Sequence, residues 1–290
     1  MSSLDRMKRL TRRRSAAASP SAAAESAPAP AQPGAPGDAA RALVEPAAAE
    51  TTPLYDSDAV IDCVVAYNKY GGYVVPRQAS HRVAAKAVIE GGVYEPQTIE
   101  LIRAECGEHD VVHAGTFFGD FLPGVSSGLA PGARVYAFEP NPESYRCAAM
   151  TVVLNDLDNV ELVGAGLGAQ PSRADLLLTQ PDGTYRGGSS RFLKASDPPM
   201  DGTTVEVPIT TVDAMVPADR QVSVLQLDLE GYEQPALDGA METIRRCRPL
   251  IVLESLPEAD WIAAHLRPLG YRRAGRVHYN TVFRPSAPPD

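Results

Sequence analysis

The strongest constraint on this chain is an alternation. Between Asp110 and Leu253 short apolar runs recur, each followed by a longer segment with helical spacing. DVVHA (110–114), RVYAFE (134–139), VELV (160–163), VSVLQL (222–227) and PLIVL (249–253) predict strands. They are apolar almost throughout rather than at every second position, the pattern of strands buried on both faces. The stretches between them predict helices at about 118–129, 142–155, 233–246 and 258–268. Such alternation builds a parallel sheet with helices on both sides. Two further runs, ADLLLT (174–179) and TVEVPIT (204–210), flank a Gly/Ser-rich stretch and predict an inserted hairpin. YRRAGRV, a HYN turn and TVFRP then predict a terminal antiparallel hairpin.

Upstream of that body the composition changes. Residues 1–53 are basic at the tip and then rich in Ala, Pro, Ser and Gly. So few large apolar side chains cannot offset the entropy of ordering, which predicts a disordered tail. Its basic tip is either a solvated end or a weak contact for an acidic membrane or partner. Residues 54–109 predict a cap of helices. The signals are an apolar run over 58–67, a turn at Gly71-Gly72, a helix over 81–90 capped by Ser80, and another opening at Pro96. The division is thus a tail (1–53), a helical cap (54–109) and an α/β body (110–285).

Charge narrows the ligand classes. The chain carries −9, but residues 1–14 hold six bases against Asp5, a local +5, so the remainder stands at −14. A body so acidic is a poor match for nucleic-acid phosphates and suits a neutral or cationic small molecule. Cys63, Cys106, Cys147 and Cys247 stand far apart with no CxxC pair, as reduced thiols of a cytoplasmic protein do. No apolar run approaches a membrane span, and the start lacks the apolar core of a secretory signal.

The chemistry lies at the carboxyl ends of the predicted strands. DVVHAGTFFGD (110–120) runs from a strand through Gly115 into a helix start, where free backbone N–H groups can meet a ligand. The next strand ends in Glu139, 24 positions past Gly115, followed by Pro140-Asn141-Pro142. A carboxylate there can accept both hydroxyls of a ribose. A dinucleotide fits poorly, because the second glycine of G-x-G-x-x-G, counted from Gly115, is Phe117. A nucleoside without a pyrophosphate suits the loop better, and S-adenosylmethionine is one. VLQLDLEGYE (224–233) puts Asp228 and Glu230 at the end of the strand expected beside the first, where open α/β sheets bind ligands. Three functions stay open on these residues: methyl transfer, an NAD-linked oxidoreductase on a similar sheet, and a nucleoside-binding module without turnover.

VYAFEPNPESY (135–145), NVELVGAGLGA (159–169) and LQLDLEGYEQPALDGA (225–240) together resemble the FkbM-family methyltransferases. The likeness runs from about Asn68 to Pro285. It implies a class I, Rossmann-like enzyme that uses S-adenosylmethionine to O-methylate a glycan or secondary metabolite. It also implies a doubly wound seven-stranded α/β sheet of order 3-2-1-4-5-7-6, its last strand antiparallel. By the same resemblance Gly115, Thr116 and Gly119 lie along the methionine portion of the cofactor. Glu139 holds the ribose with Asn141 beside it, and Ala165 and Gly166 line the adenine. Asp228 lies near the sulfonium and the acceptor. Where the family usually has Asp-Val-Gly-Ala-Asn-x-Gly, this chain has His113-Ala-Gly-Thr-Phe-Phe-Gly119, with His113 for Asp and Phe117 for Asn.

Methyl transfer to oxygen also removes a hydroxyl proton. Candidate bases are Asp228, Glu230 and His278, in that order, His278 lying with Asn280 in the final turn. Asp228, Glu230 and Glu254 are alternatively ligands of a magnesium ion. That reading is the less favoured, because no His or second Asp adjoins Asp228. Gly183–Arg191, rich in hydroxyls and cations, predicts a mobile loop able to grip a sugar or an anion. Asn68–Tyr73, His81-Arg82 and Val93–Pro96 are candidates to close over the crevice. The expected partner is a small-molecule or glycan acceptor, with no nucleic acid and no stable membrane insertion.

Overall fold

The structure, a computed structural model, describes residues 60–193, 197 and 200–286. The expected tail, 1–53, lies outside the described residues. The first described elements are strands β1 (Cys63–Asn68) and β2 (Gly71–Pro76), an antiparallel hairpin where a cap of helices was expected. Val64, Val65, Val74 and Val75 are β-branched and favour a pleated strand. Asn68 Oδ1 accepts the Tyr70 N–H at 2.9 Å and closes the turn at Lys69-Tyr70. Gly71-Gly72, expected to be that turn, begin β2 instead. Helix α1 (Val83–Ile89) starts from Arg82 with no side-chain cap, so Ser80 does not cap it. Ser80 closes a 3-10 turn over Arg77–Ala79. Helix α2 (Pro96–Glu105) opens on its proline.

The body follows the expected alternation through β3 (Asp110–Ala114), α3 (Leu122–Ser126), β4 (Val135–Phe138), α4 (Pro142–Leu154) and β5 (Val160–Val163). Helix α3 is shorter than the predicted 118–129 because Gly115–Phe121 is taken up by turns, one closed by Gly119 N–H to Thr116 O at 2.8 Å. The insert is larger than a hairpin. Strands β6 (Gly166–Leu167), β7 (Ser172–Leu177), β8 (Arg191–Phe192) and β9 (Thr204–Thr210) form a sheet of order β6-β9-β7-β8. After α5 (Val212–Met215) come β10 (Val222–Leu227), α6 (Glu233–Asp238), α7 (Met241–Cys247), β11 (Leu250–Leu253), α8 (Ala259–His265) and the hairpin β12 (Tyr271–Val277) and β13 (Asn280–Pro285). The predicted helix 233–246 is split into α6 and α7 at Gly239. A Cβ there would overlap the Gly168 carbonyl oxygen, so the chain approaches closer than a side chain permits.

The main sheet has order β5-β4-β3-β10-β11-β13-β12, with β13 antiparallel to both neighbours and the other pairs parallel. Numbered one to seven along the chain, that is 3-2-1-4-5-7-6. Alternate strand residues feed opposite faces. Val112, Ala114, Leu225, Leu227 and Ile251 pack with Leu237, Ile244 and Trp261 from α6, α7 and α8. Val111, Val135, Val224 and Val252 pack with Ile99, Ile102, Leu122 and Val125 from α2 and α3. No helix among the described residues is long and apolar enough to cross a membrane.

Candidate active site

Strand order reverses between β3 and β10, and open α/β sheets bind ligands outside the carboxyl ends of the strands at that point. Asp228 N–H donates to Ala114 O at 3.1 Å and draws the two strand ends together. A Cβ on Gly115 (φ +86°) would overlap the Asp228 carbonyl oxygen, so only glycine fits. A crevice of about 180 Å³ opens here. His113, Gly115 and Gln226 line it from the sheet, while Asp120, Asp228, Glu230 and Glu254 supply four carboxyl groups. Arg82, Tyr94, Phe117 and Gly188 contribute to its wall. The segments expected to close over the crevice thus reach it through Arg82 and Tyr94.

Three acids converge. One oxygen from each of Asp228, Glu230 and Glu254 lies within 4.8 Å of the others. Glu230 (φ +53°) already belongs to the turn after β10, yet its carboxyl returns to Asp228. Burial raises Asp228 well above the usual carboxylate range, and the charge of Glu254 and a hydrogen bond to it raise it further. A hydrogen bond between two carboxyl groups requires a proton on one of them. Burial, then Glu254, raises Glu230 to about 7. Burial, then Glu95, raises Asp120 to about 7. Such a cluster can accept a proton from a hydroxyl, hold a divalent ion through oxygen, or face an organic cation.

His113 faces this cluster from the neighbouring strand. It pairs in register with Gln226, and both are 2% exposed. Its Nδ1 meets Gln226 Oε1, and its ring stacks on Phe121 at 5.3 Å. Its Nε2 is buried with no partner among the described residues, an omission that costs about 1–3 kcal/mol. Burial lowers its pKa to about 4, which keeps the ring neutral at neutral pH. Gln226 and Asp120 are not among the site residues the sequence suggested. Gln226 had a signal: it stands two before Asp228, on the same face of a strand.

Glu139 borders the crevice through Phe117. Its Oε2 accepts the Phe117 N–H at 2.6 Å and its Oε1 the Asn141 N–H at 2.8 Å. Burial raises its pKa to about 8. Phe117 holds this contact in the left-handed region (φ +52°), uncommon for a bulky side chain. Its ring packs on Phe118 and against the backbone of Gly187 and Gly188. Asn141 is engaged elsewhere. Its Oδ1 caps α4 through Glu143 and Ser144 N–H and accepts the Tyr185 hydroxyl at 3.0 Å, while its Nδ2 donates to Ser190.

Gly183–Arg191, expected as a mobile loop, is therefore anchored. Tyr185 is buried, Gly187–Ser189 form a 3-10 turn, and Arg191 opens β8. The remaining cofactor-side residues do not line the crevice. Thr116 is fully buried, Gly119 packs beside Leu122 and Thr151, Ala165 lies in the core, and Gly166 abuts the Phe192 ring. His278, expected as a base, also stands outside the lining, because Glu95 Oε1 holds its Nδ1 at 2.8 Å. Glu95 also accepts from Thr98 and Asn280. Tyr94, which meets the His278 ring edge-on, lines the crevice instead. Burial, then the charges of Glu95, Asp120, Asp228 and Glu254, raises its hydroxyl pKa.

The chain belongs to the FkbM methyltransferase family: the Methyltransferase FkbM domain matches residues 105–273, from the end of α2 into β12. The match contains the four carboxyl groups of the crevice but not Arg82 or Tyr94. Similar solved structures include a methyltransferase FkbM from Methylobacillus flagellatus KT, with 16% identity and a TM-score of 0.36, covering 61% of this chain and 43% of that one. The chain thus spans less than half the length of that protein. A methyltransferase from Geobacter sulfurreducens has 15% identity and a TM-score of 0.39, covering 67% of this chain and 81% of that one. A SAM dependent methyltransferase from Aquifex aeolicus has 14% identity and a TM-score of 0.34, covering 66% and 88%. No curated protein matches the chain.

Proposed function

We propose that this protein transfers a methyl group from S-adenosylmethionine to a hydroxyl of a glycan or secondary metabolite, with Asp228 taking the hydroxyl proton. The observation that carries the reading is the placement of Asp228. It is half-buried at the strand switch point, one hydrogen bond from Glu254 and beside the Gly115 turn. The residues present fit the cofactor's chemistry. The four carboxyl groups suit its sulfonium and ammonium, Glu139 suits a ribose, and the partnerless His113 Nε2 suits a hydrogen-bond donor. When bound, the cofactor supplies an electrophilic methyl whose bond to sulfur breaks as the acceptor oxygen attacks. In the free protein burial and Glu254 favour the protonated form of Asp228, and the positive charge of a bound cofactor would favour the ionised form that accepts the hydroxyl proton. The raised pKa of Asp228 lets it hold the proton it gains. Asp228, Glu230 and Glu254 would be the oxygen ligands if the acceptor were instead polarised by magnesium.

The test is incubation of purified protein with methyl-labelled S-adenosylmethionine and a cell extract, with mass spectrometry of the products. A labelled methyl ether is expected. Asp228→Asn should still bind S-adenosylhomocysteine and lose about 10²–10⁴-fold in rate. Treatment with EDTA should leave the wild-type rate unchanged. Loss of activity in EDTA that magnesium alone restores would replace the base with a metal. Tight NADH binding with no response to S-adenosylhomocysteine would sink the cofactor assignment.

A further inference from the structure

His113 and Gln226 form a pair with a defined polarity. The Gln226 Oε1 facing His113 is an acceptor, so His113 Nδ1 must carry the hydrogen. In the neutral ring that leaves Nε2 as a lone-pair acceptor. Stacking on Phe121 at an interplanar angle of 4° sets the plane of the ring, and the Nδ1 contact with Gln226 sets where Nε2 points within it. Nε2 has no partner among the described residues. His113 lines the same crevice as Asp120, Asp228, Glu230 and Glu254, against one lining cation, Arg82. An oriented acceptor beside several carboxyl groups selects a donor that also carries positive charge.

We propose that His113, held in one tautomer by Gln226, and the facing carboxyl groups form a binding site for a primary ammonium group. His113 is the contacting residue and Gln226 the positioning residue. The site deepens the methyltransferase reading and rests on it for one of its two sources of ammonium. The first source is the amino-acid end of the cofactor, whose carboxylate then has Arg82 as its complement. The second is an amine on the acceptor. A neutral histidine also departs from the acid that the family usually carries at this place, so recognition here runs through a lone pair rather than an anion.

The experiment measures S-adenosylhomocysteine and 5′-methylthioadenosine, which lacks the amino-acid end, by calorimetry on wild type, His113→Phe and Gln226→Met. Saturation-transfer NMR with glucosamine and glucose covers the acceptor source, and melting curves confirm that each variant folds. If the ammonium is the cofactor's, His113→Phe weakens S-adenosylhomocysteine at least about tenfold and leaves methylthioadenosine unchanged. Gln226→Met, which frees the tautomer, then gives a smaller loss of the same selectivity. If the ammonium is the acceptor's, both nucleosides bind the variants normally, and the preference for glucosamine over glucose disappears. Equal weakening of both nucleosides, or no change in any arm, overturns the proposal. If wild type binds neither nucleoside, the cofactor reading falls, and the ammonium site stands or falls on the glucosamine arm alone.

Discussion

Glu139 illustrates how much one buried carboxyl decides. Each of its oxygens accepts a backbone N–H, which favours the ionised form, yet burial dominates and holds its pKa near 8. Ribose hydroxyls donate, so a bound nucleoside tips the balance towards the carboxylate. Binding of S-adenosylhomocysteine near pH 7 should therefore release a proton. Calorimetry in buffers of different ionisation enthalpy would detect it as a buffer-dependent heat. Glu139→Gln should reduce that dependence and weaken binding by about 1.5–3 kcal/mol, the scale of hydrogen bonds to a charged group. Heats that do not change with buffer in the wild type would show that Glu139 does not ionise on binding. Phe117 stands at the same junction: its N–H is aimed at Glu139 only because its backbone takes the left-handed region.

At the scale of elements, the parallel strands were legible because β3, β4, β10 and β11 are apolar at nearly every position, a pattern that burial on both faces demands. The β1–β2 hairpin was not. Its short apolar run resembles a helix segment as much as a strand, and what holds it lies 80 residues away. Asn155 Oδ1 accepts the Gly72 N–H at 2.8 Å, its Nδ2 donates back to Gly72 O, and Thr151 Oγ1 accepts the Val74 N–H at 3.0 Å. Side chains of the last turn of α4 thus continue the hydrogen bonding of the strand, a contact that no local pattern encodes. Asn155→Ala leaves those groups unmet and should cost about 1–3 kcal/mol, read as a lower midpoint in urea. An unchanged midpoint would mean that water replaces Asn155 without loss. The same limit explains the site. Asp228, Glu230 and Gly115 were legible from strand ends, whereas the roles of Asn141 and Tyr185 depend on a segment that returns across the fold after more than 40 residues.

Across the whole molecule, the crevice leaves a signature in stability. Asp120 and Glu230 titrate near 7, Glu139 near 8, and Asp228 well above its ordinary value, all chiefly through burial. In the unfolded chain these groups ionise near pH 4. Between that pH and about 8 the folded protein holds more protons than the unfolded one, so its stability falls as pH rises. His113 acts in the opposite sense, but only below its unfolded pKa of about 6.5, because there the unfolded ring is charged while the buried one stays neutral down to about 4. The two effects compete from pH 4 to 6.5, and the carboxyl groups act alone from 6.5 to 8. Each extra proton held by the fold is worth about 1.4 kcal/mol per pH unit, and a kcal/mol moves the melting temperature of a domain this size by about 2–4 °C. The ligand-free protein should therefore lose several degrees between pH 6.5 and 8. Glu139→Gln should lose less, and saturating S-adenosylhomocysteine, whose ammonium favours ionised neighbours, should flatten the curve. A melting temperature that holds steady or rises across that window would mean that the carboxyl groups of the crevice ionise as freely as exposed ones.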